Sequence, residues 1–208
     1  MIDYWEQRFV KGGAIWGDHP SDSVEIAHRC FQSNDVDRLL VPGSGYGRNA
    51  GYFLERGYAV TGVEISPTAI AQGRERYPDL EVVQGSVLEV AFTDPFDAIY
   101  CFNVLHLFRA DDRQRFIETY RDFLRSGGLA FFVVFSDQEP SFGKGPQVEP
   151  YTFETKPGRP VHYFTEVDLR AHFAGFDVLE MGVVEDAEDH GPGPHVHILR
   201  YICASWLG

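Results

Sequence analysis

Basic charge is scarce in this chain: 18 lysines and arginines stand against 31 aspartates and glutamates in 208 residues, a formal net charge of -13 at pH 7. No basic cluster offsets that balance. Contacts to phosphate supply most of the affinity of nucleic-acid binders, so such a partner is disfavoured and a small-molecule substrate is expected. Cysteine is also sparse. Cys30, Cys101 and Cys203 are odd in number, far apart and without Cys-x-x-Cys spacing, which argues against a disulfide framework and a cysteine zinc site, and each is expected to be a buried thiol. Long apolar runs are missing as well. Trp5, Arg8, Lys11 and Asp18 interrupt the first thirty residues, leaving neither a signal-peptide core nor a membrane span, and the expected location is cytoplasmic with no membrane partner. There is no internal repeat. The length suits one domain over residues 1–208, large enough for a sizeable core.

What is present begins with Arg38-Leu-Leu-Val-Pro-Gly-Ser-Gly-Tyr-Gly-Arg-Asn49, followed by Gly62-Val-Glu-Ile-Ser66. A strand, a glycine turn and a second strand ending in an acid describe a nucleoside-binding half-domain. Gly43, Gly45 and Gly47 sit where a missing Cβ lets the backbone turn sharply and approach a ligand. Glu64 follows Gly43 by 21 residues, where a carboxylate can accept the hydroxyl protons of a ribose. Arg48 occupies the place of the third glycine in G-x-G-x-x-G, so the dinucleotide fingerprint fails. The G-x-G-x-G form suits S-adenosylmethionine.

Periodicity places the rest. Ser21 to Phe31 reads as a helix, followed by a strand at Arg38–Val41, helix Gly47–Arg56, strand Ala59–Glu64, helix Pro67–Arg76 and strand Leu80–Gln84, a βαβαβ half-domain. Pro67 behind Ser66 marks a helix start. A second half follows with strand Asp97–Phe102, helix Asp111–Leu124, and an apolar strand Leu129–Phe135 behind a Gly127-Gly128 stop. Residues 137–163 are rich in proline and glycine with little period, the pattern of a lid or substrate-facing insert. Thr165 to Asp168 caps a short helix to Phe173. Phe176–Val184 and His195–Ala204 read as strands joined by a loop from Glu185 to Pro194, too short for a crossover helix, so they should be antiparallel. The fold expected is an α/β, Rossmann-like, doubly wound sheet of seven mainly parallel strands with a C-terminal antiparallel hairpin and helices on both faces.

These residues resemble the class I S-adenosylmethionine-dependent methyltransferases, and within them the thiopurine and tellurite-resistance group. The likeness rests on the aromatic opening Trp5-Glu-Gln-Arg-Phe-Val-Lys-Gly-Gly-Ala-Ile-Trp16, on Val41-Pro42-Gly43 and on Gly57-Tyr-Ala-Val-Thr-Gly-Val-Glu-Ile-Ser66. Most class I enzymes carry an acid at the place of Val41; this group has an apolar residue before proline. The resemblance implies methyl transfer from S-adenosyl-L-methionine to a small molecule, with soft sulfur, selenium or tellurium nucleophiles favoured. It implies that residues 1–35 cover the cofactor and substrate, with Trp5 and Trp16 against them. Gly43 and Gly45 would lie under the methionine portion, Glu64 on the ribose with Ile65 beside it, Ser86 and Val87 at the adenine edge, and Phe102 and Asn103 facing the methionine tail. Phe102 stands where thiopurine methyltransferases carry arginine, so thiopurine-type recognition is not implied.

The catalytic assignment stays open. Soft nucleophiles need no strong base; an oxygen or nitrogen acceptor would, and His106, His162, His195 and His197 are the candidates by position. His106 also reads as a structural histidine, and Cys101 as a packed thiol. His195 and His197 share one strand face and could hold a metal with His190 or with Asp186 or Asp189, but a hairpin in an acidic chain supplies such residues without function, and no metal is expected. Two other readings remain: a non-catalytic adenosyl-binding module, and a nicotinamide-dependent oxidoreductase, which Arg48 disfavours.

Overall fold

The computed structural model describes residues 2–156, 158–190 and 193–208, and the side chains of all of these except Ile2, Thr155, Asp189 and His190. His190 and Asp189, raised above as possible ligands, therefore have side chains outside the described residues. The strands are β1 (Arg38–Pro42), β2 (Ala59–Glu64), β3 (Glu81–Gln84), β4 (Phe96–Phe102), β5 (Leu124–Phe135), β6 (Gln147–Glu149), β7 (Thr152–Lys156), β8 (Arg159–His162), β9 (Phe176–His190) and β10 (Gly193–Trp206). The helices are α1 (Ile2–Gly12), α2 (Ser23–Gln32), α3 (Arg48–Leu54), α4 (Pro67–Arg76), α5 (Ala110–Asp122) and α6 (Glu166–His172). The main sheet has seven strands in the order β3-β2-β1-β4-β5-β10-β9. β3, β2, β1, β4 and β5 are parallel, and β10 and β9 run antiparallel at the end.

Strand alternation divides the core between the two faces. Leu40, Ile99, Cys101, Phe132, Val134 and Ile202 point to one face, against Phe116, Ile117 and Tyr120 of α5 and Leu169 of α6. Leu39, Val41, Tyr100, Phe131, Val133 and Tyr201 point to the other, against Val24, Ala27 and Phe31 of α2 and Ala50 and Phe53 of α3. Burial on both faces is why β1, β4 and β5 read as continuous apolar runs. The expected sheet is the one observed. No helix among the described residues is long and apolar enough to cross a membrane.

Helix starts follow their chemistry. The Ser66 hydroxyl accepts the Ala69 N–H at 3.1 Å with Pro67 as the first helical residue of α4, and the Thr165 hydroxyl accepts the Asp168 N–H at 3.1 Å at α6, both satisfying free helical donors.

Four expectations need correction. β5 begins at Leu124 rather than Leu129, because an irregularity in its pairing with β4 takes up the Gly127-Gly128 pair without ending the strand. The loop Glu185–Pro194 is mostly strand: β9 and β10 pair from Trp206–Phe176 to Gly193–His190, and the polar composition hid the ladder. The insert holds its own antiparallel sheet, β6-β7-β8, with strands too short to show a period. Finally, Cys30 and Cys203 form a disulfide across 173 residues of sequence, leaving Cys101 as a buried free thiol. Packing of α2 on the sheet brings the pair together, and spacing along the chain carries no trace of it.

Candidate active site

The order of strands reverses between β1 and β4, and ligands of open α/β sheets bind outside the carboxyl ends of the strands at that point. A cavity of about 320 Å³ opens there. Leaving β1, the chain adopts left-handed backbone at Gly43 (φ +66°) and again at Gly45 (φ +57°), where a side chain is strained. A Cβ on Gly43 would lie 2.4 Å from Val104 Cγ2, so that glycine is required by space as well as by torsion.

Glu64, at the end of β2, is buried and tied to this turn. Its Oε2 accepts the Gly45 N–H at 2.9 Å, and its Oε1 accepts those of Ile65 and Ser66, each at 2.8 Å. Burial pushes its carboxyl above the ordinary range, only partly offset by these three amides, and the charge of Glu6 pushes the same way. Across the cavity, Asn103 leaves β4 in the left-handed region (φ +55°) with its N–H on Val133 O at 2.9 Å. Its Oδ1 is buried without a hydrogen-bond partner. A buried acceptor left unpaired costs about 1–3 kcal/mol, which a ligand donor would recover.

The N-terminal segment roofs the cavity. Trp5 and Trp16 lie 6.1 Å apart by ring centroids, Trp16 stacks on Tyr46 at 6.2 Å, and Arg159 from β8 sits over Tyr4 at 3.6 Å. Glu6 pins α1 in place by accepting from the Ser66 and Thr68 hydroxyls and the Thr68 N–H. Trp5, Trp16, Gly43, Gly45, Glu64, Ile65, Ser86, Val87, Phe102 and Asn103 all line this one cavity.

The rest of its wall was less legible: Arg48, Phe135, Arg159, Val161 and Glu188 line it, with His106 and His197. Arg48 is buried and donates to Glu188 Oε1 at 2.8 Å and to His19 O at 2.9 Å. The sequence marked Arg48 only as a departure from a glycine pattern and gave no reason to join it to residue 188. Glu139, also missed, accepts the Ile198 N–H at 2.8 Å and contacts His197 Nδ1 at 3.1 Å. Burial is the largest influence on His197 and lowers its pKa, but Glu139, Glu188 and Asp186 together outweigh it and raise the net value.

Of the four candidate bases, His106 is stacked on Phe135 with centroids 4.3 Å apart and takes the Phe135 N–H on Nδ1 at 3.4 Å. Burial, with the nearby His197 and His162, drives its pKa down to about 3, so it is neutral at pH 7. His162 is held between the Thr152 hydroxyl at 2.8 Å and Asp168 at 2.7 Å, and it lies off the cavity wall. His195 packs behind His197, with ring centroids 4.8 Å apart. The Cys101 thiol is fully buried, and burial pushes its pKa upward.

Residues 40–132 match the family model described as a methyltransferase domain. A probable S-adenosylmethionine-dependent methyltransferase of Mycolicibacterium smegmatis is 29% identical over 133 residues, 63% of this chain and 48% of that protein. The chain thus spans about half the length of the curated relative it matches. Among solved structures, the 1,6-didemethyltoxoflavin-N1-methyltransferase of Burkholderia thailandensis, with bound S-adenosylhomocysteine, superposes with a TM-score of 0.74 at 22% identity, covering 100% of this chain and 87% of that one. The fold is the class I methyltransferase fold. TehB from Haemophilus influenzae gives 0.68 at 16% identity over 97% of this chain and 67% of its own. A protein solved in work on conversion of a disulfide into a thioacetal in echinomycin biosynthesis gives 0.79 at 17%, covering 99% and 91%.

Proposed function

We propose that this chain is an S-adenosylmethionine-dependent methyltransferase acting on a small-molecule acceptor, with a soft sulfur, selenium or tellurium nucleophile as the preferred class. The observation that carries the reading is Glu64: a buried carboxylate fixed by three backbone amides at the mouth of a left-handed glycine turn. The matched methyltransferase domain and the relatives described above support it.

The residues present fit the cofactor. Glu64 keeps lone pairs for the ribose hydroxyls, the unpartnered Asn103 Oδ1 suits an ammonium donor, and the backbone at Gly43 and Gly45 offers a surface that a Cβ would fill. Ile65, Ser86 and Val87 would border the adenine, and Phe102 would flank the methionine tail. Residues 1–35 serve as cover and 137–163 as lid. When bound, the cofactor supplies an electrophilic methyl group on a sulfonium. The chain contributes alignment and exclusion of water through Trp5, Trp16 and Phe135, effects worth several kcal/mol for a well-oriented pair.

Two observations favour a soft acceptor. His106 is too weak a base to take a proton near neutral pH, and the other three candidates are engaged, His162 by Thr152 and Asp168, and His195 and His197 by each other, by Gly193 O and by Glu139. The aromatic N-terminal sequence, through its resemblance to the tellurite-resistance group, favours the same class, whereas the 1,6-didemethyltoxoflavin-N1-methyltransferase is named for a nitrogen acceptor.

Calorimetric titration with S-adenosylhomocysteine, beside the Glu64→Ala variant and beside NADH, tests the cofactor. Micromolar binding lost on removing Glu64 supports the reading. A folded wild-type chain that binds NADH and not S-adenosylhomocysteine overturns it. Turnover in a screen of thiols, selenite and tellurite against phenols and amines tests the acceptor, and activity confined to the latter pair would reassign it.

A further inference from the structure

The β9–β10 hairpin brings Glu188 opposite His195, and Asp186 opposite His197, on neighbouring strands. The ligand atoms of Glu188, His195 and His197 all lie within 4.8 Å of one another. His195 Nδ1 donates to Gly193 O at 2.9 Å, and His197 Nδ1 faces the Glu139 carboxylate at 3.1 Å. Both rings thus have an acceptor at Nδ1, which puts the proton of each neutral ring on that nitrogen and leaves a lone pair at Nε2. Those two Nε2 atoms face each other at 3.2 Å with the rings perpendicular, and Glu188 Oε2 lies 3.8 Å from the Nε2 of His197.

Two lone pairs at that distance repel unless a proton or a metal cation lies between them, so the pair is arranged to share one. Tetrahedral coordination with zinc–nitrogen bonds of about 2.0–2.1 Å puts neighbouring ligand nitrogens roughly 3.3–3.4 Å apart. The surroundings fit a site of this kind. Metal-binding histidines commonly donate their second N–H to a carboxylate or a carbonyl, the roles that Glu139 and Gly193 O fill here. Arg48 fixes Glu188 through Oε1, with Oε2 3.8 Å from His197 Nε2. Asp186 Oδ2, on the same strand face as Glu188, is buried without a hydrogen-bond partner.

We propose that His195 Nε2, His197 Nε2 and Glu188 Oε2 bind one divalent cation of the zinc class, with Glu139 as the positioning residue behind His197. Two imidazoles and a carboxylate select such an ion over magnesium or calcium. His197 and Glu188 line the same cavity as Glu64 and Asn103, so an open coordination position there would face a bound acceptor. A thiol bound at it would be held as thiolate, its proton released to solvent, which replaces the missing base. This consequence rests on the methyltransferase reading; the metal site does not.

The full chain without an affinity tag, stripped by a chelator, is titrated with ZnCl2 by calorimetry and with CoCl2 by visible absorption. One ion per chain at micromolar affinity or tighter is expected, with a tetrahedral cobalt spectrum. The His195→Ala/His197→Ala pair should weaken zinc binding at least 100-fold. Glu139→Gln, which keeps all three ligands, should weaken it about 10–100-fold and carries the test if the histidine variant does not fold. S-adenosylhomocysteine binding in the same preparations reports the cofactor site separately. Zinc binding weaker than millimolar, or unchanged in these variants, overturns the proposal.

Discussion

Replacing Glu64 with glutamine changes little in shape and much in hydrogen bonding. Oε1 takes two amide protons, from Ile65 and Ser66, and Oε2 takes one, from Gly45. The glutamine oxygen can serve the pair, but its NH2 then meets the Gly45 N–H, donor against donor; the flipped amide places two donors against it. The first orientation loses one hydrogen bond to a charged group and the flipped one loses two; the smaller loss is nominally about 1.5–3 kcal/mol, and water entering from the cavity reduces the net loss of stability to about 1–2 kcal/mol. A ribose hydroxyl meeting NH2 in place of carboxylate loses a similar amount, so S-adenosylhomocysteine should bind about 10–100-fold more weakly. Urea denaturation and calorimetry measure the two effects. The pH dependence separates them further. Burial raises the Glu64 pKa in the folded state, so the wild type loses affinity on acidification from a pH above the ordinary glutamate value near 4.3, while the glutamine variant does not. Apo stability has the opposite sign: the folded chain holds this proton more tightly than the unfolded one, and its contribution is lost as pH rises through the raised pKa. A glutamine variant with affinity within about threefold of wild type, or with the same acid limb, would refute the argument.

Gly43→Ala should cost about 1–2 kcal/mol for left-handed backbone alone and more for its clash with Val104; adding Val104→Ala should recover only the clash in a denaturation series. Asp97 holds the start of β1 by accepting from the Asp37 and Arg38 amides, and it pairs with Arg125 at 2.6 Å. Desolvation opposes its charge, but these partners outweigh it and hold its carboxyl below the usual range. Asp97→Asn should therefore cost about 1–2 kcal/mol at neutral pH, a difference that fades as pH falls below about 3.9; a gap independent of pH would contradict this. Non-reducing peptide mapping should recover Cys30 joined to Cys203, and Cys30→Ser should cost about 2–4 kcal/mol relative to the oxidised chain. Finding both as free thiols in the protein as isolated would remove that prediction.

The legible parts of the sequence were local. β2 and α4 fall on the expected residues because Ala59–Glu64 alternates into a buried strand and Ser66-Pro67 states its own helix start. Trp5, Gly43, Glu64 and Asn103 reach one cavity because three parallel strand ends and the N-terminal roof converge there. The rest of the cavity wall obeys no such rule. Arg48 meets Glu188 across 140 positions, and Glu139 meets His197 across 58, pairings fixed by β10 entering the sheet antiparallel beside β5. β9 past Val184 reads Glu-Asp-Ala-Glu-Asp-His, a charged run that resembles a solvated loop until the ladder supplies its partners.

Ser66 answers to two carboxylates. Its amide belongs to Glu64, which faces the cavity, and its hydroxyl belongs to Glu6, which hangs from the roof helix. Raising that roof means leaving the Thr68 hydroxyl and the opening turn of α4 to water. The doorway is therefore hinged to the threshold: its latch is an acid on the helix, one residue along from the tryptophan that meets the eye, and exchange of the Thr68 amide would time each opening.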